Sequence, residues 1–97
     1  MKSNCRLFFE TLGTELKIEI ITTLKGRPLS VNELSKELGH ERSKVSHALK
    51  TLLDCGFVRV KNEGRKRIYS LNAETIIPLL NLVEKHVSKY CKICNKK

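Results

Sequence analysis

Long apolar runs are missing from this sequence. The longest covers residues 76–80, and the N-terminal apolar group at residues 7–9 stops at Glu10. A membrane-spanning helix needs ~20 apolar residues, and a secretory signal peptide needs a core of roughly 7–15. Both runs are too short for these roles, so we expect a cytoplasmic protein that has no membrane partner.

The groups that usually carry out catalysis are also scarce. Asp54 is the only aspartate, the three histidines are scattered, and no glycine-rich phosphate-binding loop occurs. A chain of 97 residues has the length of one domain and leaves little room for a substrate pocket. We expect a single domain over residues 1–97, without enzymatic activity and without a required cofactor.

Positive charge, in contrast, is abundant and unevenly placed. The chain has 19 lysines and arginines against 10 aspartates and glutamates, which gives a net charge of +9. Residues 57–71 contain five basic residues and one acidic residue, whereas residues 1–56 are nearly balanced. A dense basic segment in a balanced domain favours a polyanionic partner over the alternative, a solvated lysine-rich surface.

Apolar spacing and capping residues predict a mainly α-helical chain with the element order α-α-α-α-β-β-α. The first helix covers about residues 3–12, and Thr14 is placed to cap the second helix. Ser30 and Glu33 form a capping box at the start of the third helix, and Gly39 is placed to end it.

The fourth helix, at residues 41–55, has two different faces. One side is apolar and is expected to face the core. The other side carries short polar groups and one cation: Ser43, Ser46, His47 and Lys50. Together with the third helix it predicts a helix-turn-helix over about residues 30–55, whose second helix fits the ~12 Å width of the DNA major groove.

A β-hairpin is predicted to follow at residues 57–71. Two stretches rich in strand formers flank the turn-forming residues 62–64. The tip and second strand carry Arg65, Lys66 and Arg67. Such a basic hairpin beside a helix-turn-helix is expected to act as a wing that contacts the DNA backbone or minor groove.

The last helix, predicted at about residues 74–93, carries an apolar heptad pattern. The residues of this pattern alternate four and three positions apart: Ile76, Leu80, Val83, Val87, Tyr90 and Cys94. Heptad seams are typical of helices that pair between chains. The seam is longer than a domain of this size needs for itself, so we expect a dimer interface; the alternative is packing on the same chain's core.

Four stretches of the chain resemble the ArsR/SmtB group of prokaryotic winged-helix repressors. They are residues 27–34 (RPLSVNEL), 43–49 (SKVSHAL), 53–59 (LDCGFVR) and 63–71 (EGRKRIYSL). The likeness extends over about residues 12–82. Its most specific parts are the Val45-Ser46-His47 helix and the wing that runs from Gly64 to Tyr69.

This resemblance implies a winged helix-turn-helix homodimer, joined through its first and last helices, that binds an inverted repeat of double-stranded DNA. The expected DNA contacts are Arg42, Ser43, Lys44, Ser46, His47, Lys50, Arg65, Lys66 and Arg67. The expected dimer-interface residues are Phe8, Ile76, Leu80, Val83, Val87 and Tyr90. The implied activity is transcriptional repression.

Proteins of this group often sense metals or arsenite, but their known metal sites are not reproduced here. Ser30 and Asn32 stand where the group has cysteine ligands at the start of the third helix. On the last helix, only one plausible ligand survives in either alignment register. We therefore expect no zinc site of either known kind.

A different thiol pair remains at the C-terminal end, Cys91-Lys-Ile-Cys94. Cysteines at positions i and i+3 share one helix face and can hold a soft metal or metalloid together, and Cys5 of the first helix can supply a third thiolate. The flanking Lys89 and Lys92 are expected to lower the thiol pKa. Release of DNA by metal, arsenite or oxidation is one expectation, and a tail without function is the other.

Two further hypotheses compete with a thiol-switched repressor. The first is a DNA-binding regulator or architectural protein that has no metal or thiol switch. The second is a winged-helix adaptor that binds another protein instead of DNA. The adaptor hypothesis requires an apolar outer face, which the polar face of the fourth helix opposes.

Overall fold

The computed structural model describes residues 3–95, with side chains from Arg6 onward. The elements are α1 (Ser3–Leu12), α2 (Glu15–Gly26), β1 (Leu29–Ser30), α3 (Val31–Leu38), α4 (Arg42–Asp54), β2 (Val58–Glu63), β3 (Lys66–Leu71) and α5 (Ile76–Tyr90). In this part of the chain, no helix combines the length and the apolar character that crossing a membrane requires.

The sheet has three antiparallel strands in the order β1-β3-β2, where the sequence predicted only the hairpin. The additional strand β1 pairs Leu29 with Tyr69 and Ser30 with Ile68. It was missed because two residues are too few to show the alternation that identifies a strand. The corrected element order is therefore α-α-β-α-α-β-β-α.

The core lies between α2, α3, α4 and the sheet. As predicted, the apolar face of α4 points inward: Val45, Ala48, Leu49 and Leu52 are buried. These residues pack with Ile20 of α2, with Leu29 and Val58 of the sheet, and with Phe57, which directly precedes β2. The inward face of α4 fixes its rotation, so its polar face must point to solvent.

The capping box at the start of α3 is confirmed. The Glu33 backbone N–H donates to Ser30 Oγ at 3.2 Å, and the Ser30 N–H donates to Glu33 Oε1 at 2.9 Å. The predicted cap at Thr14 is wrong in its chemistry, since the Thr14 hydroxyl donates to the Glu10 carbonyl at 3.2 Å. This bond directs the hydroxyl toward the end of α1, and the hydroxyl accepts no hydrogen bond from the first N–H groups of α2.

The last helix ends at Tyr90, three residues before the predicted position. The Asn95 Nδ2 donates to the carbonyls of Val87 at 2.7 Å and Cys91 at 2.9 Å, which satisfies acceptors at the helix end. Cys94 therefore lies in a turn after α5. The expectation that Cys91 and Cys94 share a helix face and continue the apolar seam is wrong for this reason.

Candidate nucleic-acid interface

The turn between α3 and α4 sets the position of the outward-facing helix. Gly39 adopts a left-handed conformation with φ of 71°, and its N–H donates to the Ser35 carbonyl at 2.9 Å. The Ser35 hydroxyl donates to the carbonyl of His40 at 2.5 Å, and His40 Nε2 lies 3.4 Å from Glu19 Oε1 of α2. The turn is thus held both within itself and against α2.

The outer face of α4 exposes every residue that the sequence predicted to contact DNA from this helix. They are Arg42, Ser43, Lys44, Ser46, His47 and Lys50. Lys50 forms a salt bridge within the helix, in which its Nζ lies 3.3 Å from Asp54 Oδ2. Both side chains of this pair are mostly exposed, so the contact is weak and leaves Lys50 able to turn toward a phosphate.

The hairpin formed by β2 and β3 places the wing cations at its tip. The strands pair from Val58 with Leu71 to Glu63 with Lys66, so the loop contains only Gly64 and Arg65. The predicted turn at residues 62–64 was placed too early, because the positive φ of 64° at Gly64 allows a two-residue turn. The wing cations Arg65, Lys66 and Arg67 are exposed, as expected.

A groove of about 470 Å³ joins the wing to the helix-turn-helix. Its charged lining residues come from α3, the start of α4 and the hairpin: Glu33, Lys36, Arg42, Arg65, Lys66 and Arg67. The structure thus brings Arg42 together with the three wing cations. Sequence reasoning missed Lys36, which the i, i+4 spacing of Asn32 and Lys36 on the exposed side of α3 could have indicated.

Glu33 is the acidic residue of this groove. Hydrogen bonds from the backbone and side chain of Ser30 lower the pKa of the Glu33 carboxyl, with smaller contributions from Lys66 and Arg27. The carboxylate is therefore charged at neutral pH and already serves as a cap for α3. Five cations against this one anion leave the groove strongly positive.

A second, shallower groove of about 390 Å³ separates α2 from α4. It is bordered by Lys17, His40, Ser43 and His47, among others. Two of the predicted base-contacting residues, Ser43 and His47, thus have open space on their α2 side.

The thiols near the C-terminal end are close to each other. Cys91 is half-buried and Cys94 is exposed, and the Cys94 backbone N–H lies 3.3 Å from Cys91 Sγ. Hydrogen bonds from the Cys94 thiol and its N–H lower the pKa of Cys91, while the same pairing raises the pKa of Cys94. The cause is the neighbouring cysteine and not Lys89 or Lys92, to which the sequence pointed.

The third expected thiol, Cys5, lies outside the residues whose side chains are described. Among the described residues, no group of three or more histidine, cysteine, aspartate or glutamate side chains comes together as a metal site. The pair Cys91 and Cys94 supplies two soft ligands, which is half of a tetrahedral site.

The expected interface residues fall into two groups. Ile76 is buried in the chain's own core, and Phe8 and Leu80 pack against that core from a half-buried position. Val87 is also half-buried. Val83 and Tyr90 are exposed, as is the neighbouring Leu82 at 64%. Ile76 therefore follows the alternative to a dimer interface, which is packing on the same chain's core. The C-terminal half of α5 leaves an apolar strip uncovered.

Comparison with known proteins places these features in a family. The model for the bacterial regulatory protein arsR family matches residues 14–60. The transcriptional regulator NmtR of Mycobacterium tuberculosis is 36% identical over 72 residues, which are 74% of this chain and 60% of NmtR. Rv0081 of the same organism, described as an uncharacterized HTH-type transcriptional regulator, is 36% identical over 83 residues, which are 84% of this chain and 73% of Rv0081.

Solved structures agree with this relationship. The crystal structure of Rv0081 matches with a TM-score of 0.77 and 35% identity, covering 84% of this chain and 82% of that one. The solution structure of a homodimeric winged helix-turn-helix domain, Mb0332 of Mycobacterium bovis, has a TM-score of 0.81 at 20% identity, covering 89% and 80%. The chain therefore belongs to the arsR family of bacterial regulatory proteins, a family of DNA-binding transcriptional regulators and not of enzymes.

Proposed function

We propose that this chain is a homodimeric, sequence-specific transcriptional repressor that acts in the cytoplasm and binds an inverted repeat of double-stranded DNA. The observation that carries the proposal is the exposed polar face of α4 beside an arginine-rich wing. The helix supplies hydrogen-bonding groups for base edges, and the wing supplies charge for the phosphates.

Each surface has its own part in this proposal. Arg42, Ser43, Ser46 and His47 lie on the side of α4 that would face the bases. The guanidinium of Arg42 can donate hydrogen bonds, and the serine hydroxyls and the His47 imidazole can donate and accept them. Lys44, Lys50 and the wing cations would contact phosphates. The protein–protein adaptor is disfavoured because the same face has no apolar patch that another protein would cover.

The proposed homodimer rests on apolar surface that one copy leaves in water. Leu7 and Phe9 of α1, and Leu82, Val83 and Tyr90 of α5, are all exposed. Apolar strips on two helices are typical of an association surface, and two-fold symmetry would match two half-sites of an inverted repeat. The homodimeric state of Mb0332, which shares the fold, supports the same arrangement.

Binding to the DNA upstream of the protein's own gene tests the proposal. We expect a mobility shift that raised salt weakens, with a preference for the upstream DNA over a duplex of random sequence. The salt slope is the slope of the logarithm of the binding constant against the logarithm of the salt concentration. Arg65→Ala with Arg67→Ala should lower its magnitude by about 1.8, since each phosphate contact contributes about 0.9. Equal affinity for both duplexes would contradict a sequence-specific repressor.

Loss of two positive charges at a site away from the wing is the matched control. Lys85→Ala with Lys89→Ala removes the same charge from α5 and should leave the salt slope unchanged. Sedimentation velocity of this double variant verifies that its oligomeric state is intact. A slope that falls equally in both double variants would contradict the wing assignment.

We also propose that the thiols of Cys91 and Cys94 bind a soft metal or metalloid, or become oxidised, and thereby cause release of DNA. Their proximity supports this part of the proposal, and Cys5 or a second protomer would supply further ligands. Arsenite, zinc and an oxidant are each added to the DNA complex of the wild type and of Cys91→Ser/Cys94→Ser. If the double variant still releases DNA under these conditions, Cys91 and Cys94 are not the switch.

A further inference from the structure

The geometry points to a clamp for the DNA backbone in the groove between α3, the start of α4 and the wing, in which Lys36 is an additional phosphate contact. This inference rests on the proposed function, because it assumes that the chain binds DNA. It adds α3 to the DNA-contacting surface, which sequence reasoning confined to α4 and the hairpin.

Positive charge from three elements converges in this groove. Lys36 of α3, Arg42 of α4 and Arg65, Lys66 and Arg67 of the hairpin come from three separate elements, yet they line one groove of about 470 Å³. Like charges that are brought together destabilise the folded chain unless an anion neutralises them. Successive phosphate diesters of a DNA backbone have the negative charges and the acceptor oxygens that such a cluster requires.

Glu33 offsets only part of this positive charge. Its carboxylate is the acidic group of the groove, and the Ser30 backbone N–H holds one carboxylate oxygen at 2.9 Å. It is committed to the cap of α3 and supplies one negative charge against the five positive charges that line the groove. The remaining positive charge is therefore available to a ligand.

The groove also lies between the start of α4 and the hairpin. Arg42 begins α4, whose exposed face is the proposed base-reading surface, and Arg65 lies at the hairpin tip. A groove that contacts both elements lies where the backbone would pass between the major groove and the wing. Lys36 points into this space from the exposed side of α3 and extends the clamp to the first helix of the helix-turn-helix.

The salt dependence of binding to a fluorescein-labelled duplex of random sequence tests the clamp, because phosphate contacts do not depend on sequence. Lys36→Gln should weaken binding about five- to tenfold and lower the magnitude of the salt slope by about 0.9. Lys36→Arg should restore both values. Lys85→Gln, which removes the same charge from α5, should change neither.

A second pair of variants tests the groove from the acidic side. Glu33→Gln keeps a side chain that can complete the capping box but removes the negative charge, so it should tighten DNA binding. Glu37→Gln makes the same change on the same helix outside the groove and should have a smaller effect. Circular dichroism verifies that all variants are folded.

The outcomes separate this inference from the proposed function. If Lys36→Gln keeps the wild-type slope while the wild type prefers its upstream DNA, the clamp is wrong and the repressor stands. If Lys36→Gln lowers the slope while the wild type shows no preference, the clamp stands and the sequence-specific repressor is wrong. Absence of any DNA binding by the wild type would overturn both.

Discussion

The ring of Phe8 in α1 stacks on the ring of Phe57, with centroids 4.8 Å apart and planes inclined by 21°. Phe57 is fully buried and directly precedes β2. One aromatic contact thus joins α1 to the core, whereas Leu7 and Phe9 of the same helix are each 54% exposed. The inner side of α1 belongs to the protomer, and its outer side is open to association.

Replacement of Phe8 by alanine should therefore weaken the fold itself. Loss of the stacked, half-buried ring should lower the free energy of unfolding by about 2 kcal/mol. Phe9→Ala, the matched control in the same helix, should lower it by less than about 1 kcal/mol. Urea unfolding at two protein concentrations measures both and separates an effect on the fold from one on association; equal losses would contradict the stacking role.

Acidification should remove the stabilisation that Glu33 supplies to the cap of α3. The pKa of the Glu33 carboxyl is lowered in the folded chain by its hydrogen bonds with Ser30, so the charged form favours folding. This stability is complete above the ordinary value of 4.5 and is lost as the pH falls through the lowered pKa of the folded state.

Urea unfolding of the wild type and of Glu33→Gln, at pH 7 and at pH 3, checks this dependence. The difference in stability between the two proteins should be largest at pH 7 and should shrink at pH 3. Glu37→Gln is the control, since no comparable pair of cap hydrogen bonds holds Glu37. A difference that stays constant with pH would show that the charge of Glu33 has no part in the cap.

The two C-terminal thiols should differ in reactivity. The Cys94 thiol and N–H lower the pKa of Cys91 by hydrogen bonding, so Cys91 has more thiolate at neutral pH than Cys94. Iodoacetamide at pH 7.5 should therefore modify Cys91 first, as peptide mass spectrometry measures. In Cys94→Ala the thiol donor is gone, and alkylation of Cys91 should slow; an unchanged rate would contradict the assigned cause.

Charge on the exposed strip of α5 should separate the protomers of the proposed dimer. Leu82→Glu with Val83→Glu replaces two apolar side chains, which are 64% and 43% exposed, by carboxylates. Because both positions are exposed, the fold should be retained. Sedimentation velocity should give a monomer, and circular dichroism should be unchanged. Ile76→Glu, in the core, should unfold the chain instead. A dimer that persists in the double variant would place the interface elsewhere.

Local patterns were sufficient to predict the helix-turn-helix. The faces of α4 follow from helical periodicity, so the burial of Val45 and Leu49 and the exposure of Ser46 were both expected. The start of α3 follows from the spacing of Ser30 and Glu33, which brings their groups together as soon as one helical turn forms.

Features that depend on distant parts of the chain were not predictable in this way. The strand β1 exists because Leu29 and Ser30 pair with β3, about 40 residues later in sequence by the register Leu29 to Tyr69. The early end of α5 is accompanied by a contact beyond the helix itself, in which the Asn95 side chain folds back onto the Val87 carbonyl. The spacing within α3 indicates that Lys36 is exposed, but its contribution to the groove appears only when three elements meet.

Ser30 has two structural partners at once, since it pairs with Ile68 of the hairpin and caps α3. No residue intervenes between β1 and α3 to absorb a rotation. The hairpin and the helix-turn-helix are consequently joined at this residue, which restricts the angle between them. Adaptation to the two half-sites of the proposed inverted repeat would then come mainly from the relative orientation of the protomers in the proposed dimer.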